Sequence, residues 1–129
     1  MKTRVLIAED DAASRELLAE LLETWGYTVE QAMDGQEALC LVRTNPPDVL
    51  LMDVQMPTLG GPAVAGQLRA DSRFSSLPII ALTAFAMRGD RERLLDAGFN
   101  EYLTKPLNTA LLRDVIARYA NQMLGQRRK

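Results

Sequence analysis

The chain has 129 residues, 47% of them hydrophobic and 25% charged, with a formal net charge of −2. This is the size and balance of one globular domain with a real core. It gives no electrostatic case for nucleic acid or a membrane surface, and no apolar run reaches transmembrane length. Histidine is absent and Cys40 is the only cysteine, which excludes Ser-His and Cys-His catalysis, histidine-ligated metals and an intrachain disulfide. Met1–Arg4 lead into a strand-like run without a signal-peptide cleavage pattern, so the expected setting is cytoplasmic.

Strand-like and helix-like segments alternate along the chain. Val5–Ala8 is a continuous apolar run. Ala12–Trp25 carries Leu17, Leu18, Leu21, Leu22 and Trp25 at helical spacing and stops at Gly26. Tyr27–Ala32 alternates as a weak strand. Asp34 is placed to cap a second helix that ends at Pro46-Pro47. Cys40, between Leu39 and Leu41 in that helix, reads as a small core residue. Val49–Met52 is apolar throughout, Ala63–Ala70 is a short helix, and Ile79–Leu82 is a fourth strand introduced by Pro78. Arg88–Ala97 is a charged helix closed by Gly98, Tyr102–Thr104 a fifth strand and Thr109–Leu124 a last helix. Residues 1–124 form one domain in this reading, and 125–129 are an unstructured tail. Strands alternating with helices predict a parallel sheet covered on both faces, and right-handed crossovers favour a doubly wound α/β sheet of five strands in the order 2-1-3-4-5, the flavodoxin-like arrangement.

Functional groups of such a sheet sit just beyond the carboxyl ends of its strands. Glu9 and Asp10 follow the first apolar run, Asp53 the third, Thr83 the fourth and Lys105 the fifth. Asp11 reads as the cap of the first helix. Three carboxylates at one edge repel one another unless a hard cation joins them, and Mg²⁺ suits an all-oxygen set while keeping positions for an anion. A phosphoryl group would share its charge among the metal, the Lys105 ammonium and the Thr83 hydroxyl, and a carboxylate can itself be the nucleophile.

The stretches "VLIAEDD", "PDVLLMDVQMP", "LPIIALTAFAM" and "EYLTKPL" occur in this order. With them the chain resembles, over essentially its whole length, the receiver domain of two-component response regulators. The stretch "ALTAFAMRGDRERLLDAG" is similar to single-domain regulators and to receivers of hybrid sensor kinases. The resemblance implies a phosphoacceptor signalling module rather than a classical enzyme, one that catalyses its own aspartyl phosphorylation and slow dephosphorylation. It implies Asp53 as acceptor, and Mg²⁺ held by Glu9, Asp10, Asp53 and the Gln55 backbone carbonyl. Lys105 would contact the phosphoryl group ahead of a cis bond to Pro106, and Thr83 and Tyr102 would be the switch pair. The donor would be a histidine kinase or a histidine phosphotransfer protein, the readout a downstream protein target. After Met56-Pro57 the run Thr58-Leu59-Gly60-Gly61-Pro62 departs from the family's acidic or amide residue before the loop glycine, and Gly60 is expected to loosen that loop.

Rival chemistries fit less well. A phosphohydrolase with an aspartyl-phosphate needs an acid two residues past the nucleophile, where Gln55 stands. A flavin carrier would meet repulsion from Glu9-Asp10-Asp11. A degenerate receiver that acts as a phosphorylation-independent interaction module remains the alternative. The stripe of the first helix is wider than one buried face needs, so Ser14, Leu17 and Pro106 are expected to form a docking patch for the donor; the competing reading puts Leu17 in the core.

Overall fold

The computed structural model describes residues 2–84 and 89–127, the last five as backbone only. Its elements are β1 (Arg4–Ala8), α1 (Ala12–Thr24), β2 (Thr28–Ala32), α2 (Gly35–Thr44), β3 (Val49–Asp53), α3 (Gly61–Ala70), a 3₁₀ turn (Ser72–Phe74), β4 (Ile79–Thr83), α4 (Asp90–Ala97), β5 (Glu101–Thr104) and α5 (Thr109–Arg127). The five strands are parallel in the order β2-β1-β3-β4-β5, as the sequence predicts.

The period of two along each strand divides the core into two layers. Leu6, Ala8, Leu50, Met52, Ile79 and Ala81 face α2, α3 and α4, where they meet Leu39, Val42, Val64, Leu68 and Leu94. Val5, Ile7, Val49, Leu51, Ile80 and Leu82 face α1 and α5, where they meet Leu18, Leu22, Leu112 and Ile116. The central strands β1, β3 and β4 are therefore apolar at successive positions, whereas β2 and β5 at the edges are partly exposed. Full burial of each large aliphatic side chain contributes roughly 1.5–3 kcal/mol.

Asp11 caps α1 by accepting the Ser14 N–H at 2.9 Å, and Asp34 caps α2 by accepting the Glu37 N–H at 2.8 Å. Leu17 is 70% exposed while Leu18 and Leu22 are buried, so the stripe of α1 does extend past its buried face. Four details depart from expectation. Cys40 is exposed: its sequence neighbour Leu39 is buried, but adjacent residues on a helix point about 100° apart. The last helix runs through Arg127, past its expected end at Leu124. α3 begins two residues early at Gly61, with Pro62 in its first turn. Gly60 sits in ordinary extended backbone (φ −71°), and it is Thr58 that adopts a positive φ of 71°. The loop is fixed by close approach: a Cβ at Gly35 would lie 2.2 Å from the Leu59 carbonyl oxygen, and one at Gly61 would lie 2.8 Å from that of Asp53. The expected start of α4 at Arg88 lies outside the described residues; from Asp90 the helix runs to a left-handed cap at Gly98.

Candidate functional site

The buried strands deliver their terminal residues to one edge. Glu9 continues the register of β1, its N–H donating to the Ala32 carbonyl of β2 at 3.1 Å. Asp53 is the last residue of β3 and Thr83 the last of β4. Lys105 follows β5, and its N–H donates to the Thr83 carbonyl at 2.8 Å. The Lys105-Pro106 bond is cis.

Lys105 Nζ donates to Glu9 Oε1 at 2.8 Å and to Asp53 Oδ2 at 3.0 Å, so one ammonium ties two acids that are 3% and 7% exposed. The Gln55 N–H donates to Asp53 Oδ1 at 2.9 Å. Glu9 Oε2 is buried and finds no hydrogen-bond partner among the described residues. One carboxylate oxygen each from Glu9, Asp10 and Asp53 lies within 4.8 Å of the others. Asp10 is exposed, so the group opens to solvent on its side.

Electrostatics follow from this packing. Burial pushes the Glu9 carboxyl up from 4.5 to about 7, aided by its hydrogen bond with Asp53 and opposed by Lys105. Burial also acts to raise Asp53, but its bonds with Glu9, the Gln55 N–H and Lys105 outweigh it and hold the carboxyl below its ordinary value. Burial acts to lower Lys105, and its two carboxylate partners hold it above its ordinary value instead. Among the described residues, three clustered carboxylates share one ammonium, which bonds two of them, and one buried oxygen finds no donor. Mg²⁺ fits that donor set: all oxygen, clustered and open on one side.

Thr83 is buried at the carboxyl end of β4, beside the strand that bears Asp53. Gln55 is exposed, and it is its N–H that meets Asp53. Tyr102 is half-buried on β5, packed against the core layer that contains Leu94 of α4. Ser14, Leu17 and Pro106 line one cavity of about 350 Å³ together with Leu21 and Leu107, and Glu9 and Lys105 form its inner edge. Sequence reasoning missed Arg15, whose guanidinium reaches the Glu9 carbonyl oxygen at 2.9 Å; a long cation one turn into α1 was its only signal.

The profile of the response regulator receiver domain matches residues 5–117. The polar-differentiation response regulator DivK of Brucella anthropi is 38% identical over 119 residues, which cover 92% of this chain and 97% of that protein. The receiver domain of the sensor histidine kinase PA1611 from Pseudomonas aeruginosa, solved with a magnesium ion coordinated in its active-site cleft, superposes with a TM-score of 0.86 at 35% identity, covering 94% of this chain and 99% of that one. The receiver domain of the Saccharomyces cerevisiae response regulator Ssk1, solved with the histidine phosphotransfer protein Ypd1, gives a TM-score of 0.85 at 30% identity, covering 92% and 89%. Among the described residues no helix is long and apolar enough to cross a membrane. A matched profile spanning almost the whole fold, on a sheet whose strand ends carry the acids and the lysine, makes this chain a member of the response regulator receiver domain family of two-component signalling.

Proposed function

We propose that the chain takes a phosphoryl group from a phosphohistidine of a partner onto Asp53 and signals through the surface change that follows. The observation that carries this reading is the Lys105 ammonium bridging Asp53 and Glu9 in a carboxylate cluster that Asp10 completes, with Glu9 Oε2 lacking a donor among the described residues. Glu9, Asp10 and Asp53, with the Gln55 carbonyl, would hold Mg²⁺, which when bound offsets negative charge on the carboxylates and on the phosphoryl oxygens. An Asp53 oxygen attacks phosphorus, the P–N bond breaks, and the electron pair leaves on the donor imidazole, which takes up a proton. Asp53 stays ionised, as a nucleophile requires, because its hydrogen bonds hold its pKa down. Lys105 transfers part of its pairing from the carboxylates to the phosphoryl oxygens, and the Thr83 hydroxyl donates to another. Hydrolysis of the acyl phosphate by water returns Asp53 and inorganic phosphate.

Phosphorylation adds charge and acceptor oxygens at the strand edge. In this reading Thr83 moves toward them, Tyr102 turns inward, and the face of α4, β5 and α5 is read by a downstream protein target. The donor, a histidine kinase or a histidine phosphotransfer protein, docks on Ser14, Leu17 and Pro106; the exposure of Leu17 and the cavity that joins it to Lys105 support this. The setting is cytoplasmic.

The test is labelling by acetyl phosphate or phosphoramidate with Mg²⁺. The wild type gains one phosphoryl mass, which hydroxylamine removes as it does from acyl phosphates, and Asp53→Asn gains none. A full mass shift in Asp53→Asn would reject Asp53 as acceptor. An unlabelled wild type would favour the phosphorylation-independent module.

A further inference from the structure

We propose that Arg15 is a positioning residue for the cation site, which rests on reading Glu9, Asp10 and Asp53 as that site. Arg15 lies in the first turn of α1 and is half-buried. Side chains on a helix lean toward its amino end, and that direction returns the guanidinium over the β1–α1 turn. Its Nη1 donates to the Glu9 carbonyl oxygen at 2.9 Å and its Nε donates to Gln31 Oε1 on β2 at 3.2 Å. The backbone N–H of the same residue donates to the Asp11 carbonyl at 2.9 Å. The Arg15 side chain therefore grips the Glu9 side of Asp10, while the first helical bond of α1, which any residue at this position makes, holds the Asp11 side.

The remaining groups of the turn complete the clamp. The Glu9 N–H is held by Ala32, and the Asp11 carboxylate is held by the Ser14 N–H. Asp10 is the exposed residue between these two anchored neighbours. Its carboxylate must be aimed at the Glu9 and Asp53 oxygens by the backbone that carries it. A planar guanidinium bonds two separated acceptors, on β2 and on the turn, which a lysine ammonium on a flexible stem does not reproduce.

Charge and geometry predict opposite signs at this residue. As a bare positive charge near a cation site, Arg15 opposes Mg²⁺, and its removal should tighten binding. As a clamp, it pre-arranges Asp10 and Glu9, and its removal should weaken binding. Groups that orient metal ligands without touching the metal commonly control affinity.

The experiment is calorimetric titration of MgCl2 into the whole chain at pH 8, with the melt of each variant recorded in EDTA. Arg15→Met is expected to bind roughly tenfold more weakly, Arg15→Lys to fall between it and the wild type although its charge is kept, and Gln31→Ala to show a smaller loss in the same direction. Arg15→Met binding as tightly as the wild type, or more tightly, overturns the proposal, as does full affinity in Arg15→Lys. Should Arg15→Met fail to fold, the exposed substitution Gln31→Ala decides, and unchanged affinity there overturns it. A wild type that binds no Mg²⁺ refutes the reading of the site itself, a different result from any of these.

Discussion

Glu9 is expected to make the stability of the metal-free protein depend on pH. Its carboxyl is 3% exposed, one oxygen accepts from Lys105, and the other finds no donor among the described residues, leaving the bond with Asp53 to be made only when Glu9 carries a proton. Burial raises its pKa from 4.5 to about 7. A folded-state value above the unfolded one means that the folded protein binds more protons between the two, so stability falls as pH rises from 4.5 to 7. Each pKa unit corresponds to about 1.4 kcal/mol, so the full span is on the order of 3–4 kcal/mol. Asp11, Asp53 and Asp71 are held below 3.8 and Lys105 above 10.5, so they change charge outside this window. No histidine exists to titrate inside it. Urea unfolding followed by Trp25 fluorescence in EDTA at pH 4.5, 5.5, 6.5 and 7.5 should show the decline in the wild type. Glu9→Gln, which keeps the shape and loses the charge, should show almost none and should be the more stable protein at pH 7.5. Saturating MgCl2 should abolish the decline in the wild type, because a cation beside the carboxylates favours their ionised form. Wild-type stability that is flat or rising from pH 4.5 to 7.5 in EDTA, or a Glu9→Gln variant with the same slope, would refute this account of the buried acid.

Three further outcomes are expected. Leu17→Lys should slow phosphoryl transfer from a protein donor while leaving acetyl-phosphate labelling and Tm nearly unchanged, since Leu17 is 70% exposed; a Tm lower by several degrees, as follows a loss of about 1–3 kcal/mol, would return the residue to the core. Beryllofluoride with Mg²⁺ should shift amide resonances near Tyr102 as well as those around Asp53, and shifts confined to the loops around Asp53 would reject the Thr83–Tyr102 switch. Gly66, inside α3 with open space where a Cβ would stand, should give a more stable protein as Gly66→Ala by about 0.5–1 kcal/mol in urea unfolding; a destabilised variant would contradict that packing.

The legible parts of this molecule are those where one residue's chemistry is decided by local position. β1, β3 and β4 read plainly as unbroken apolar runs because both sheet faces are covered. A residue that ends such a strand has only the sheet edge to occupy, so Glu9, Asp53, Thr83 and Lys105 were legible as one group from four separate stretches. Asp11 and Asp34 were legible as caps because a cap is a bond to a backbone N–H three residues on. Cys40 is exposed although Leu39 is buried, because neighbours in sequence point to different sides of a helix. The 3₁₀ turn at Ser72–Phe74 has no apolar period to announce it; Asp71 holds its start through the Arg73 N–H.

What stayed hidden is bonded to main chain or set by tertiary approach. Arg15 reaches a carbonyl oxygen, and every residue type supplies one, so no pattern of side chains marks that partner. Thr58 takes a left-handed backbone that a β-branched residue disfavours. Its neighbour Leu59 is pressed on Gly35, and Gly61 closely approaches Asp53, approaches that are invisible along the chain. The same distinction separates the two properties of Glu9. That an acid stands at the strand end is written in the sequence; that one of its oxygens is buried and unpartnered depends on Lys105, which lies 96 residues away and reaches only the other. On the proposed reading, burial of this oxygen both costs stability in the metal-free fold and favours a cation, so Glu9→Gln is expected to relieve the first and weaken the second together.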